Sequence, residues 1–343
     1  MNDALIETPS ALLARLDGAA TRHQTPTGAG NMVWRSWGSG PVLVLLHGGS
    51  GSWRHWVRNI EYFARDRRVL APDLPGLGDF AGQVIHSEGF DSGAGWAGKR
   101  ALILGTGSSA NDIALDLHSH GVHTTLIQRG STTVVSIDPS ARLNEAIWDE
   151  GGLLDDCDLV VSSATPPLIL RAYKAVTQRM LQLDKDLIDG LKSVGFKHDV
   201  GEDETGHQMK YFRRGGGYNL DAGSSALLAK RELGLLQYDR IERFVPEGAL
   251  LKDGATVPAD MLVLATGYYP QAELVRRALG QSMADKIGQI WGIGPDGELS
   301  NMFKRTPQRG AWFIAGGLAQ CRINSKYLAL QIKAMELGKL GPL

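Results

Sequence analysis

Short apolar segments before residue 80 predict a small sheet with one helix. Residues 41–46 (PVLVLL) form a continuous apolar run, which is typical of a strand buried on both sheet faces. Residues 32–36 alternate apolar and polar side chains, and residues 68–71 form a third short strand-like segment. Apolar positions within residues 56–63 recur at helical spacing. The pattern therefore predicts three strands and one helix in this part of the chain.

A strand, a glycine turn and a helix follow one another after residue 98. Residues 99–104 (KRALIL) predict a strand, apolar positions between 110 and 117 have the spacing of one helix face, and residues 124–128 predict a second strand. The turn between the first strand and the helix has the pattern G-x-G-x-x-A and consists of Gly105, Thr106, Gly107, Ser108, Ser109 and Ala110. Together these elements predict a β-α-β unit of the dinucleotide-binding type.

The glycine turn has a defined physical role in binding a dinucleotide. Gly105 permits the tight bend, Gly107 lets a pyrophosphate approach the backbone, and Ala110 allows the helix to pack closely on the strand. The start of the helix supplies N–H donors and a partial positive charge for the phosphates. A purely structural turn is the alternative interpretation of the same pattern.

The residues after the second strand distinguish NAD(H) from NADP(H). An acidic residue there accepts hydrogen bonds from the ribose of NAD(H), whereas a cation attracts the additional phosphate of NADP(H). Here the strand ends in Gln128-Arg129-Gly130-Ser131. Arg129 offers a planar set of donors and Ser131 adds a hydroxyl. We therefore expect NADP(H), and the alternative is that Arg129 is an ordinary solvated side chain.

The remaining pattern predicts a mixture of strands and helices. The glycine-rich residues 213–218 are compatible with an anion cradle or with a plain turn. The other expected elements are strands at 158–162 and 311–317, helices at 167–183 and 326–337, and a hairpin turn at 252–255.

Composition excludes several classes of binding partner. The chain has 36 Lys and Arg residues against 37 Asp and Glu residues, so it has no overall electrostatic field that would attract nucleic acid. No apolar run approaches the roughly 20 residues that span a bilayer, and the first residues do not resemble a secretory signal. The 2 cysteines are too few for a disulfide framework or a cysteine-rich metal site. We expect a cytoplasmic protein that acts on a small molecule, without a metal, nucleic-acid or membrane partner.

Two further motifs resemble those of flavin-containing monooxygenases. The first has the family's identifying pattern F-x-G-x-x-x-H-x-x-x-F and comprises Phe80, Gly82, His86 and Phe90. The second, residues 262–268 (LVLATGY), resembles the strand and turn with which the family crosses from its NADPH domain to its FAD domain. The residues of that turn are Ala265, Thr266 and Gly267. The similarity extends over residues 80–338.

This resemblance implies an NADPH- and FAD-dependent monooxygenase. In the family, NADPH reduces FAD, and the reduced flavin activates oxygen for transfer to a small organic substrate. Because the cofactor carries out the chemistry, the resemblance assigns no catalytic side chain. It leaves His86 as a motif residue whose role is that of a structural tie between domains or one within the site.

The segment before residue 80 resembles a different family, the α/β-hydrolases. Residues 45–56 (LLHGGSGSWRHW) and 69–79 (VLAPDLPGLGD) are similar to the opening of that fold. In hydrolases the turn that corresponds to His47, Gly48 and Gly49 contributes N–H groups to an oxyanion hole. The nucleophile elbow G-x-S-x-G is absent from the sequence. We therefore regard this oxyanion turn as vestigial and a hydrolase as a remote alternative.

The two resemblances predict a chimeric α/β protein in three parts. Residues 1–79 are an α/β-hydrolase-like fragment, residues 80–268 a Rossmann-type NADP(H)-binding domain, and residues 269–343 the C-terminal part of an FAD domain. Intact family members bind FAD through an N-terminal strand and G-x-G-x-x-G turn, which the hydrolase-like residues replace here. A non-catalytic NADP(H)-binding protein is therefore the alternative to a monooxygenase. Uncovered strand edges would favour pairing, including a homodimer.

Overall fold

The N-terminal residues form a small sheet with its own core. The computed structural model describes residues 9–27, 30–46, 53–73 and 80–341. Within the first three ranges the elements are α1 (Pro9–Gly18), β1 (Thr21–Thr27), β2 (Gly30–Trp37), β3 (Val42–Val44), α2 (Val57–Phe63) and β4 (Arg68–Asp73). The sheet order is β1-β2-β4-β3, in which only the β3–β4 pair is parallel. Ile60 of α2, which the helical spacing selected, is buried in the core of this sheet.

Two predictions for this sheet are wrong. It has four strands rather than three, because β1 is polar (TRHQTPT) and has no apolar pattern to reveal it. The run 41–46 is not buried on both faces: Val42 is 58% and Val44 is 44% exposed. Successive side chains of a strand point to opposite faces, so Leu43 and Leu45 pack in the core of this sheet while Val42 and Val44 lie on the face that this core does not cover.

A five-stranded parallel sheet forms the centre of the remaining chain. Its strands are β5 (Gln83–His86), β6 (Arg100–Leu104), β7 (His123–Gln128), β10 (Gly234–Gln237) and β14 (Met261–Leu264), in the order β10-β7-β6-β14-β5. The helix α3 (Ser108–Ser119) connects β6 to β7, as predicted. From β6 the chain moves to β7 and β10 on one side and then crosses to β14 on the other. The strand order therefore reverses between β6 and β14, where α/β sheets bind ligands.

Alternate residues of the parallel strands pack on opposite faces of this sheet. Ile103 and Val263 face a cluster that includes Ala114 and Leu117 of α3. Leu102 and Leu262 face a second cluster. That second cluster also contains residues of an antiparallel sheet made of β11 (Ile241–Val245), β12 (Gly248–Leu251) and β13 (Thr256–Pro258). Helices thus cover one face and a small sheet covers the other. Because all five strands are parallel, their carboxyl ends lie along one edge.

The remaining elements surround this core. They are β8 (Thr133–Ser136), α4 (Ala146–Asp149), α5 (Leu154–Ser163), α6 (Pro166–Leu183), α7 (Lys185–Ser193), α8 (Gly206–Arg214), β9 (Tyr218–Asp221), α9 (Ser224–Ala229), α10 (Gln271–Leu279), α11 (Gln281–Ile287) and α12 (Leu318–Glu336). The predicted helix at 167–183 corresponds to α6, the helix at 326–337 is the second half of α12, and the hairpin turn at 252–255 joins β12 to β13. Among the described residues, no helix is long and apolar enough to cross a membrane.

Two predicted strands are wrong. Residues 158–162 belong to α5, whose first turn carries Asp155 and Asp156, a favourable position for negative charge. A short apolar run cannot by itself distinguish a strand from a helix. Residues 311–317 form no strand in the described part of the chain. A strand needs a neighbouring strand to satisfy its backbone, and segment 311–317 has no ladder partner among the described residues.

Candidate functional site

The glycine turn and the A-T-G turn lie side by side at the reversal point of the sheet. Gly105 follows β6 with a φ of +137°, and its N–H donates to the carbonyl of Ile127 in β7 at 3.0 Å. A Cβ at this position would lie 2.3 Å from the carbonyl oxygen of Ala265, which follows β14. The backbone contact therefore requires glycine. Two motifs separated by a long stretch of sequence meet at one place.

The start of α3 is open to a phosphate group. Gly107 occupies the N-cap position, and no side chain caps the helix. A Cβ on Gly107 would meet only the carbonyl oxygen of Tyr218, at 3.4 Å. Ser108 and Ser109 form the first turn, where helix N–H groups have no intrahelical acceptor. Ala110 is fully buried against the sheet, as expected. The turn thus has the open space, the backbone N–H donors and the helix dipole that suit a pyrophosphate.

Asn111 holds this turn in shape, and sequence reasoning missed it. Its buried side-chain amide donates to the carbonyls of Thr106 and Gly107, both at 3.0 Å. Its Oδ1 accepts from the hydroxyl of Ser224 at 2.9 Å. Because these carbonyls accept hydrogen bonds from Asn111 on the helix side, the protein itself fixes their direction. The signal in the sequence was an amide side chain four residues after Gly107, the second glycine of the turn.

The segment after β7 is joined both to the glycine turn and to a buried ion pair. Arg129 is exposed and forms no hydrogen bond or ion pair with any described residue. Thr132 lies with its hydroxyl 2.7 Å from the hydroxyl of Thr106 in the glycine turn. Thr133 donates from its hydroxyl to the carboxylate of Asp199 at 2.6 Å. Arg129 is therefore the available cation here.

The F-x-G-x-x-x-H-x-x-x-F motif connects both faces of the sheet with the A-T-G turn. Phe80 is buried in the cluster beneath the antiparallel sheet, and Phe90 packs against the cluster on the helical face. A Cβ on Gly82 would lie 2.4 Å from the carbonyl oxygen of Asp260. His86, at the carboxyl end of β5, has its Nε2 3.0 Å from the carbonyl oxygen of Gly267. The contacts are those of a structural tie.

The A-T-G turn leaves the sheet at the same edge. The N–H of Ala265 donates to the carbonyl of Leu104 at 3.0 Å, so the turn begins beside the glycine turn. Thr266 and Gly267 are exposed, and Gly267 has a φ of +92°. Their backbone therefore faces the solvent above the reversal point, next to the predicted dinucleotide position.

The glycine-rich loop after α8 provides acceptors to its neighbours. The carbonyl of Gly217 accepts from the Nζ of Lys210 at 3.0 Å and from the N–H of Thr133 at 3.1 Å. The side chain of Arg214 folds back onto the loop, where its Nε donates to the carbonyl of Gly216 at 3.3 Å. Of the two interpretations left open, these contacts favour a structural turn.

The described C-terminal residues offer less to a flavin than the glycine turn offers to NADP(H). The N–H of Gly317, just before α12, donates to the hydroxyl of Tyr211 at 3.1 Å. Leu318, the first residue of α12, is 90% exposed. The preceding segment is not a strand, so no strand-turn-helix cradle is formed here within residues 80–341. By themselves, these residues do not make a complete FAD site.

The residues predicted to form a vestigial oxyanion turn, His47, Gly48 and Gly49, lie outside the described residues.

Comparisons with known proteins agree with the motifs. Residues 66–142 match the "Flavin-binding monooxygenase-like" family model. The chain is 27% identical over 199 residues to the probable indole-3-pyruvate monooxygenase YUCCA7 of Arabidopsis thaliana, covering 58% of this chain and 41% of that protein. It is 35% identical over 204 residues to the indole-3-pyruvate monooxygenase YUCCA4 of Oryza sativa subsp. japonica, covering 58% and 40%.

Two further similarities extend beyond plants. The probable FAD-binding monooxygenase AlmA of Acinetobacter baylyi is 27% identical over 228 residues, with 62% of this chain and 43% of that protein covered. The crystal structure of cyclohexanone monooxygenase from Rhodococcus sp. Phi1 bound to NADP+ superposes with a TM-score of 0.45 and 17% identity, covering 78% of this chain and 57% of that one.

These homologues are flavin-dependent monooxygenases, and the resemblance to that family is confirmed. The chain spans less than half the length of the curated relatives described here.

Proposed function

We propose that this chain binds NADP(H) at residues 105–110 and 265–267 and acts in NADPH-dependent flavin monooxygenation of a small organic substrate. The observation that carries the proposal is the contact of the two turns at the reversal point of a parallel sheet, where Gly105 fits against the carbonyl of Ala265. The uncapped start of α3 and the unpaired cation of Arg129 support it.

In this proposal the protein residues orient the dinucleotide rather than react with it. The N–H groups at the start of α3 hold the pyrophosphate, and Asn111 keeps the turn carbonyls bound on the helix side. Arg129 takes the additional phosphate of NADP(H). A bound flavin would supply the redox chemistry that these side chains do not.

We further propose the domain limits 1–79, 80–268 and 269–343, with a hydrolase-like origin for the first part. The N-terminal sheet shares no described strand with the parallel sheet, and its core cluster is separate, which supports a boundary before Phe80. Phe80 itself packs with the second unit. Hydrolase activity is not part of the proposal, because the sequence lacks the nucleophile elbow.

The first experiment is the visible absorption spectrum of the protein after incubation with FAD and removal of free cofactor. A retained flavin band near about 450 nm, with NADPH-dependent oxygen consumption, is the expected result. The incomplete C-terminal cradle makes NADP(H) binding without a flavin the second candidate. Quenched NADPH fluorescence without a flavin band would establish that candidate, and absence of NADPH binding would overturn both.

A further inference from the structure

A buried ion pair lies beneath the segment that follows β7. Lys210 of α8 forms an ion pair with Asp199, and its side chain is only 6% exposed. Lys210 also donates to the carbonyl of Gly217 at 3.0 Å. Burying a lysine is unfavourable unless a partner compensates its charge. The Asp199 carboxylate, whose side chain is 27% exposed, supplies that compensation.

The same carboxylate holds the segment that carries Arg129. Oδ1 of Asp199 accepts from the hydroxyl of Thr133 at 2.6 Å and from the N–H of Gly201 at 2.9 Å. Burial opposes ionisation of Asp199, but the hydrogen bonds from Lys210 and Thr133 outweigh it and hold the pKa of this carboxyl below its usual range. The carboxylate is therefore charged at neutral pH.

This arrangement places a negative charge against the segment that carries Arg129, the cation proposed for the additional phosphate. Thr133, which donates to Asp199, is four residues from Arg129, and Thr132 contacts the glycine turn through Thr106 at 2.7 Å. A phosphate dianion near an unpaired carboxylate would be repelled. NADH, which lacks that phosphate, would not experience the same repulsion.

We propose that Lys210 and Asp199 are positioning residues that set the preference for NADP(H) over NAD(H). Asp199 holds the segment through Thr133, and Lys210 cancels the charge that this contact introduces. The proposal rests on NADP(H) binding at residues 105–110. It makes a buried residue of α8, which contacts neither the G-x-G-x-x-A turn nor the A-T-G turn, a determinant of coenzyme selectivity.

The test measures the dissociation constants of NADPH and NADH, by fluorescence, for the full chain and its variants. Lys210→Met leaves Asp199 uncompensated and is expected to raise the NADPH constant about tenfold or more through repulsion of the additional phosphate. The NADH constant should change much less. In Lys210→Met/Asp199→Asn both charges are absent, and NADPH binding should return toward the parental value.

Two further variants keep the result decisive if Lys210→Met does not fold. Asp199→Asn leaves an uncompensated lysine and is expected to increase the preference for NADPH, whereas Lys210→Arg should preserve it. The matched control is Arg213→Met on the same helix, which breaks the ion pair with Asp203 and should leave the NADPH to NADH ratio unchanged.

The outcomes separate the two proposals. If the parental protein binds NADPH but Lys210→Met weakens both coenzymes equally, or if Asp199→Asn weakens NADPH, the selectivity role is overturned and the binding site stands. If the parental protein binds neither coenzyme, the proposed function and this inference both fail.

Discussion

The imidazole of His86 bridges to the carbonyl oxygen of Gly267, with Nε2 and the oxygen 3.0 Å apart. Its Nδ1 accepts from the N–H of Glu88 at 3.2 Å. Because a carbonyl only accepts and an N–H only donates, the two contacts require the tautomer with its proton on Nε2. The motif histidine thus fastens the end of β5 to the A-T-G turn that leaves β14.

The two contacts of His86 can be separated by substitution. In His86→Gln the side-chain amide reaches the Nε2 position and can still donate to Gly267, whereas His86→Asn can replace only the Nδ1 contact. We expect His86→Asn to lose about 1 kcal/mol of unfolding free energy and His86→Gln to lose less. Amide exchange at residues 265–268 should be faster in His86→Asn. Equal exchange in both variants would argue against the tie.

The two turn glycines are predicted to fail in different ways. Gly105→Ala places a Cβ 2.3 Å from a backbone carbonyl at a φ of +137°. It should lower the unfolding free energy by more than about 2 kcal/mol, measured by denaturant titration.

Gly107→Ala is the matched comparison, because its Cβ meets nothing closer than 3.4 Å. Stability should stay within about 1 kcal/mol of the parental protein, while the NADPH dissociation constant should rise about tenfold as the methyl group occupies the phosphate approach. Unchanged NADPH affinity in a folded Gly107→Ala would remove the turn from the site.

Arg129 is predicted to recognise the additional phosphate of NADP(H). Arg129→Glu replaces the donors by a like charge, and a hydrogen bond to a charged group is worth enough for a loss of about ten- to a hundredfold in NADPH affinity. NADH binding should change little. The control is Arg179→Glu, an exposed position on α6 that alters the net charge equally. An unchanged NADPH constant in Arg129→Glu would contradict the assignment.

Acid is predicted to destabilise the fold through His207. Burial lowers the pKa of this imidazole to about 4, and its Nδ1 has no hydrogen-bond partner among the described residues. Between about pH 6.5, the ordinary value, and pH 4 the unfolded chain therefore binds the proton that the folded chain rejects. Stability should be fully present above this window and fall by about 3 kcal/mol across it, at roughly 1.4 kcal/mol per pH unit.

The measurement is urea unfolding at several pH values. His207→Gln should reduce this slope and leave the contribution of His198, whose pKa is also lowered by burial, although it changes the absolute stability. His123→Gln, which replaces an exposed histidine at the start of β7, should keep the slope. If both variants retain it, the acid sensitivity arises elsewhere.

The C-terminal helix is predicted to depend on one ion pair. Arg322 of α12 binds Asp158 of α5 through two hydrogen bonds, of 3.0 and 2.6 Å, and Trp148 donates to the same carboxylate at 3.0 Å. Arg322→Ala leaves a buried carboxylate without its cation, so we expect a lower melting temperature. We also expect faster tryptic cleavage at the lysines and arginines between residue 280 and the C-terminus. Lys326→Ala, in an exposed pair with Asp155, should have little effect on either.

The sequence alone determined the elements whose signals are local. The strand, glycine turn and helix at 99–119 follow from apolar periodicity and from a turn that few residues can form, and the structure agrees. The motif positions Phe80, Gly82, His86 and Phe90 could also be found without coordinates. Because this motif identifies a family, the resemblance to flavin-dependent monooxygenases could also be recognised from the sequence.

Only the tertiary structure decided what depends on neighbours distant in sequence. Whether 158–162 and 311–317 are strands depends on a pairing strand. The apolar run at 41–46 is exposed at Val42 and Val44 because only the opposite sheet face packs on the core. Lys210 carries no pattern of its own, since its contacts with Asp199 and Gly217 depend on how these segments pack. The sequence contained the parts of the site, and packing determined which of them meet.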